Sequence, residues 1–159
     1  MSRSHERAYE LLAERVKLGA AARGALYVVI AALIASGLWW LGIHYFAALA
    51  TSPRSELERI GREALALRVH GAAAMAALLA LGSIGAAHAR QGWMLKRNRA
   101  SGSMMIGAFA LLILTGYALY YLVDDLTRPP VSVAHWLIGL VLAPLLIVHI
   151  ALGRRGRAW

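Results

Sequence analysis

Six histidines punctuate an otherwise apolar chain of 159 residues, and five of them lie in or beside long uncharged stretches. An ionisable side chain inside an apolar helix is costly, so its presence asks for a function. His5 lies in a charged N-terminal segment and reads as a solvated surface residue. His70, His88, His135 and His149 are set differently. At 100° per residue, the 18-residue step from His70 to His88 brings the side chain round to about 0°. The 14-residue step from His135 to His149 gives about −40°. Each pair therefore occupies one stripe of its own helix, its members roughly 27 Å and 21 Å apart along the axis.

If the helices carrying these pairs run in the same direction, His70 and His135 share one level, and His88 and His149 the other. Two imidazoles facing each other across a helical bundle are the ligand set of a six-coordinate b-type haem. Two such pairs imply two haems at different depths, an electron path across a bilayer. Zinc or copper would need three or four ligands at one level, ideally with a carboxylate or thiolate. The chain has no cysteine, which also removes disulfides and cysteine-ligated iron–sulfur clusters. A lone histidine near a helix end is ordinarily an interfacial residue; four on two common faces argue for ligation. His44 is a fifth candidate, as a replacement for His70 or as a contact for a haem propionate or a quinone.

The elements that must position these residues are marked by missing charge. Residues 24–53, 69–89, 100–123 and 129–153 contain no Asp, Glu, Lys or Arg. Each exceeds the roughly 20 helical residues that cross a hydrocarbon core, and an open strand there would leave backbone groups unpaired. Four transmembrane helices are expected at about Gly24–Phe46, Val69–Ala89, Met104–Val123 and Val133–Leu152. Ala48-Leu49-Ala50 fits a signal-cleavage site, but the apolar run before it is too long for a signal core, so the first span reads as an anchor. Residues 1–22 form a cytoplasmic segment in which Ser4–Lys17 reads as an amphipathic helix at the headgroups, with Tyr9, Leu12 and Val16 on one side.

Charge sets the orientation. Twelve Lys/Arg fall in the N-terminal segment, the 90–99 loop and the C-terminal tail, against five in the 51–68 and 124–128 loops. The first set should face the cytoplasm, with both termini inside. The acidic residues of the outer loops cancel their five bases, so the whole net charge of +9 lies on one side. The high pI is then a topology signal rather than a sign of nucleic-acid binding. The expected fold is an all-α membrane protein: one transmembrane domain over residues 1–159, a four-helix bundle in a bacterial inner membrane.

The bundle reads as one helical hairpin written twice. Span one carries Leu33-Ile34-Ala35-Ser36-Gly37 and span three Leu112-Ile113-Leu114-Thr115-Gly116, each with aromatics following. Spans two and four each open and close with a histidine. The many small residues, Ser36, Gly37, Gly71, Gly82, Ser83, Gly85, Gly107, Gly116 and Gly139 among them, suit close helix packing or clearance for a large flat cofactor. One irregularity stands out: the histidines of span two are about one turn further apart than those of span four.

With these residues in hand, the chain resembles the superfamily of four-helix di-haem membrane cytochromes b, which includes the bacterial cytochrome b561 type and the cytochrome subunits of formate dehydrogenases and nickel–iron hydrogenases. The likeness is strongest from His135-Trp136-Leu137-Ile138-Gly139 to His149 and Gly153-Arg154-Arg155, with Leu114-Thr115-Gly116-Tyr117 also similar. It implies His135 and His149 as ligands of two different haems and His70 as an outer ligand. Such families often draw the remaining inner ligand from the start of helix one; Gly19–Ala25 has no histidine, and His88 is the residue that can stand in.

The expected function is electron transfer across the bilayer between a quinone/quinol pool and a partner redox protein, with two b-type haems as cofactors. Arg68 near the outer pair, and Arg90, Arg97 and Arg99 near the inner pair, are candidate partners of haem propionates; ordinary flanking charge is their other reading. A standalone quinone-coupled oxidoreductase is the enzymatic alternative. A cofactor-free transporter or assembly protein is the contrasting one, disfavoured because no carboxylate lies in any span and prolines do not break helices in both halves. The 51–65 loop, with its interspersed Arg and Glu, reads as a solvated amphipathic helix or a docking surface for a redox partner.

Overall fold

The computed structural model describes residues 20–46, 53–94 and 98–155. They form four α-helices in chain order: α1 (Ala20–Phe46), α2 (Pro53–Met94), α3 (Arg99–Tyr121) and α4 (Arg128–Arg155). No strand occurs among the described residues. All four helices are long and apolar enough to cross a membrane. The amphipathic segment expected over Ser4–Lys17 lies outside the described residues, as does Arg97.

Three helices fit the expected spans with a few residues to spare at most ends. The exception is α2, whose 42 residues extend for about 63 Å at 1.5 Å per residue, twice the thickness of a hydrocarbon core. Its first turns form the solvated charged helix expected over 51–65, and they run without a break into the apolar part. Pro53 occupies the first helical position, where a missing N–H costs nothing. Arg59 then grips Glu56 through both carboxylate oxygens, at 2.5 and 2.9 Å, and pairs with Glu63 one turn on. Arg62 reaches Glu58 at 3.5 Å. These i,i+3 and i,i+4 pairs support a helix in water, where apolar packing is missing.

Side chains are distributed inside out. Val28, Leu79, Leu114 and Ile147 are more than 60% exposed, while Ser36 and Ser101 are buried. In water an apolar surface of this extent would drive association; against lipid tails it costs nothing, and polar groups gain from facing protein. This points to a multi-pass membrane protein.

The chain divides into two compact units, Met1–Gln91 and Gly92–Trp159. The first contains α1 and nearly all of α2; the second contains α3 and α4. In the second unit, Leu112 of α3 lies against Gly139 of α4, where a Cβ would sit 3.9 Å from its Cδ2. The connection between them is tight. Asp124 accepts from the Thr127 N–H at 2.9 Å and from its hydroxyl at 2.6 Å. The Arg128 guanidinium donates to the Leu119 carbonyl at 2.7 Å, satisfying an acceptor that the end of α3 leaves open. Pro129 and Pro130 fall in the first turn of α4, and the helix continues through Pro144. At the start of α3, Asn98 adopts the left-handed region (φ 49°, ψ 32°), which asparagine tolerates better than most residues. Gly153 of α4 lies opposite, where a Cβ would meet the Asn98 amide at 3.4 Å.

Candidate functional site

Three of the four paired histidines are held in the same way. In the first unit, His70 of α2 meets Ser36 of α1, with Nδ1 3.0 Å from the serine Oγ. In the second, His135 of α4 meets Thr115 of α3 at 2.8 Å, and His149 meets Ser101 at 3.0 Å, again through Nδ1. Each hydroxyl is followed in sequence by a glycine, and each glycine lies beside the ring its neighbour binds. A Cβ on Gly116 would sit 3.3 Å from His135 Cε1, one on Gly37 3.4 Å from His70 Cε1, and one on Gly102 3.9 Å from His149 Cε1. The unit is a clasp: the hydroxyl fixes the ring's edge, and the missing side chain lets the ring lie against the neighbouring helix.

Counting protons assigns the tautomer. Ser36 Oγ lies 2.6 Å from the Ala32 carbonyl oxygen and Thr115 Oγ1 2.7 Å from that of Leu111. Two oxygens that close need a proton between them, and a carbonyl has none to give. The single hydroxyl proton is therefore spent on the backbone, and the hydroxyl oxygen accepts from the imidazole. Nδ1 carries the ring proton and Nε2 carries the lone pair. Ser101 follows the same pattern with a longer bond, 3.3 Å, to the Asn98 carbonyl. A neutral imidazole with its Nδ1–H directed at a fixed oxygen is the usual arrangement of a metal-ligating histidine.

The clasps are in register. Thr115 follows Ser101 by 14 residues, as His149 follows His135, so antiparallel α3 and α4 bring both contacts together with one alignment. The expectation from sequence named the Ser36-Gly37 and Thr115-Gly116 pairs but not Ser101-Gly102. Its signal was present: a third hydroxyl–glycine dipeptide, at the spacing of the histidines in the facing helix. In α1 the counterparts of Ser101 and Gly102 in the repeat are Ala22 and Arg23, which offer neither group. His88 is exposed near the end of α2, and the α1 position at its register lies outside the described residues.

His44 occupies a different setting. Its Nδ1 is 3.3 Å from Glu63 Oε1, on the charged part of α2 two turns before His70. Its ring stacks on Trp40, with centroids 4.6 Å apart and planes at 15°, and meets the edge of Tyr45 at 5.0 Å. The Trp40 indole N–H is buried and has no acceptor among the described residues. Of the arginines singled out, Arg68 and Arg90 are exposed on α2. Arg99 is engaged locally: it donates to the Trp93 carbonyl at 2.7 and 3.2 Å and lies over the Trp93 ring at 5.0 Å.

Among the described residues no three His, Asp or Glu side chains cluster as a metal-ion cage. A haem makes a smaller demand, since the macrocycle supplies four nitrogens and the protein only the axial pair. The chemistry of the clasped imidazoles fits that demand. Compared with protein-family models, curated proteins and solved structures, the chain matches none.

Proposed function

We propose that this chain is a di-haem b membrane electron-transfer protein that moves electrons across a bacterial inner membrane, between a quinone/quinol pool and a partner redox protein. Cytoplasmic termini are supported by the excess of Lys/Arg in the N-terminal segment, the 90–99 loop and the C-terminal tail. His70 and His135 are the axial ligands of the outer haem, and His88 and His149 those of the inner one. The observation that carries this reading is the clasp on His70, His135 and His149, which sets Nε2 as the lone-pair nitrogen in an apolar helix pair.

When bound, haem supplies one-electron exchange at iron, which no side chain here can supply. The chain's own residues hold the geometry. Ser36, Thr115 and Ser101 orient the rings and make each imidazole a better electron donor by accepting a hydrogen bond from its Nδ1–H. Gly37 and Gly116 leave the rings room. Arg68 and Arg90, exposed on α2, are the candidate partners of propionates, while Arg99 would have to leave the Trp93 carbonyl to do so. The apolar exterior keeps water from the redox centres.

A pyridine haemochrome assay on the purified chain tests the proposal. Close to two haems per chain, low-spin in both oxidation states, is the expected result. A chain that carries no haem after expression with adequate haem supply overturns it.

A further inference from the structure

The clasps leave one histidine arranged for different chemistry. His44 faces a carboxylate rather than a hydroxyl, at the end of the first unit where α1 ends and α2 is still charged. Glu63 can only accept, so the His44 Nδ1 proton points at it and Nε2 is the basic nitrogen. An imidazole oriented through Nδ1 by a carboxylate is the arrangement of a general base, with the carboxylate stabilising the cation formed when Nε2 takes a proton. The side chain of His44 is 43% exposed, so a reactant can reach it. Arg59 and Glu56 are the other charged groups of this cluster, Arg59 bridging Glu56 and Glu63. Beside the base stands an aromatic wall of Trp40 and Tyr45, and within it a buried indole N–H seeking an acceptor. Buried donors of this kind call for an explanation.

We propose that His44 and Glu63 are the proton-accepting dyad of a hydroquinone oxidation site at this end of the first unit, with Trp40 donating to a quinone oxygen. This rests on the electron-transfer reading and adds the residues that manage its protons. A hydroquinone loses two electrons and two protons to become a quinone. The two haems of the proposed function, held by the clasped histidines, would take up the two electrons, one each. His44 Nε2 takes the first proton and passes it to the adjacent water, after which it takes the second. Both O–H bonds break, and the C–O bonds become carbonyls that can accept from the Trp40 N–H.

Duroquinol, a small hydroquinone, is the probe. Mixed anaerobically with the oxidised haem-loaded chain, it should reduce the haem, with a rate that depends on pH. His44→Gln should slow this reduction at least tenfold and flatten the pH profile, with haem content and the dithionite-reduced spectrum unchanged. Free imidazole should restore part of the rate in His44→Ala. Trp40→Phe should raise the half-saturating duroquinol concentration about fivefold, with little change in maximal rate. Wild-type protein that dithionite reduces and duroquinol does not overturns the site, as does a His44→Gln variant with the wild-type rate and pH profile. Should the chain carry no haem, the electron-transfer reading fails by itself, and calorimetric titration with duroquinone decides the site. Saturable binding weakened by Trp40→Phe and His44→Gln supports it, and absence of binding overturns it.

Discussion

The two units solve one problem with different completeness. In the second, α3 and α4 hold two histidines by two hydroxyl–glycine pairs, and a single antiparallel register serves both. In the first, the same device is built once, at Ser36-Gly37 and His70, and the end beyond it is given over to charge: His44, Glu63, Arg59 and Glu56. The second histidine of α2 is displaced by a turn from the position that the register of α3 and α4 would give. The lesson is that the repeat conserves a way of holding an imidazole rather than an overall outline. Where a unit departs from it, the departing residues carry their own chemistry.

The largest effects should come from the histidines. His135→Ala should abolish the outer haem or make it high-spin and leave the inner one six-coordinate, and His149→Ala the converse, read in low-temperature spectra. In the first unit His70→Ala should match His135→Ala, and His88→Ala should match His149→Ala, while His44→Ala leaves both haems low-spin. If His44→Ala removes a haem that His70→Ala spares, His44 rather than His70 is the outer ligand.

Next in size are the clasp hydroxyls. Removing a group that orients a metal ligand typically weakens metal affinity about 10–100-fold. Thr115→Val should lower haem retention and raise the outer midpoint potential, because its imidazole becomes a poorer donor. Ser36→Ala should act on the same haem in the same direction, and Ser101→Ala on the inner one, all measured by redox titration. Equal shifts of both haems with any single variant would show that the clasps do not act locally.

The glycines grade the comparison more finely. The space for a Cβ shrinks from Gly102 through Gly37 to Gly116. Alanine at Gly116 and at Gly37 should each tilt the facing ring and broaden the low-spin signal in electron paramagnetic resonance, Gly116 more strongly. Gly102→Ala should be nearly silent, because 3.9 Å is ordinary contact. A disturbance larger at Gly102 than at Gly116 would contradict the clasp geometry.

The smallest effect concerns the turn that closes the second unit. The Thr127 hydroxyl and backbone N–H, both donating to Asp124, hold its carboxyl below the usual carboxylate range. A carboxylate whose value is depressed on folding contributes order above its unfolded value, near 4, and loses it as pH falls through the folded value. Hydrogen exchange at residues 124–128 should therefore quicken below about pH 4 in the native chain. Asp124→Asn should show the quickened rate already at neutral pH. The exposed charge pairs of α2 should give no such local step at the α3–α4 turn.

Much of this was legible in the chain. Runs without charge located four helices because lipid admits no unpaired charge or backbone group, and that constraint acts residue by residue. The stripes of His70 with His88 and of His135 with His149 followed from helical periodicity alone. The charged helix over 51–65 was legible too, but not its continuity with the apolar span, since the charges that end an apolar run do not end a helix when they pair at i,i+3 and i,i+4. Ser101-Gly102 is harder to read, because it sits where the uncharged stretch 100–123 begins, before the span expected from Met104.

The sequence by itself determined the four long apolar helices of the described residues and which histidines share a stripe of one helix, because these depend on composition and on the period of one helix. It also carried the hydroxyl–glycine pairs, but only as a pattern without a partner. The tertiary structure decided what they meet: Ser36 with His70, Thr115 with His135, Ser101 with His149, and Glu63 with His44. It thereby decided which ring nitrogen holds the proton. A tautomer is set by the acceptor across the gap between two helices, and no rule read along a single helix can supply that acceptor.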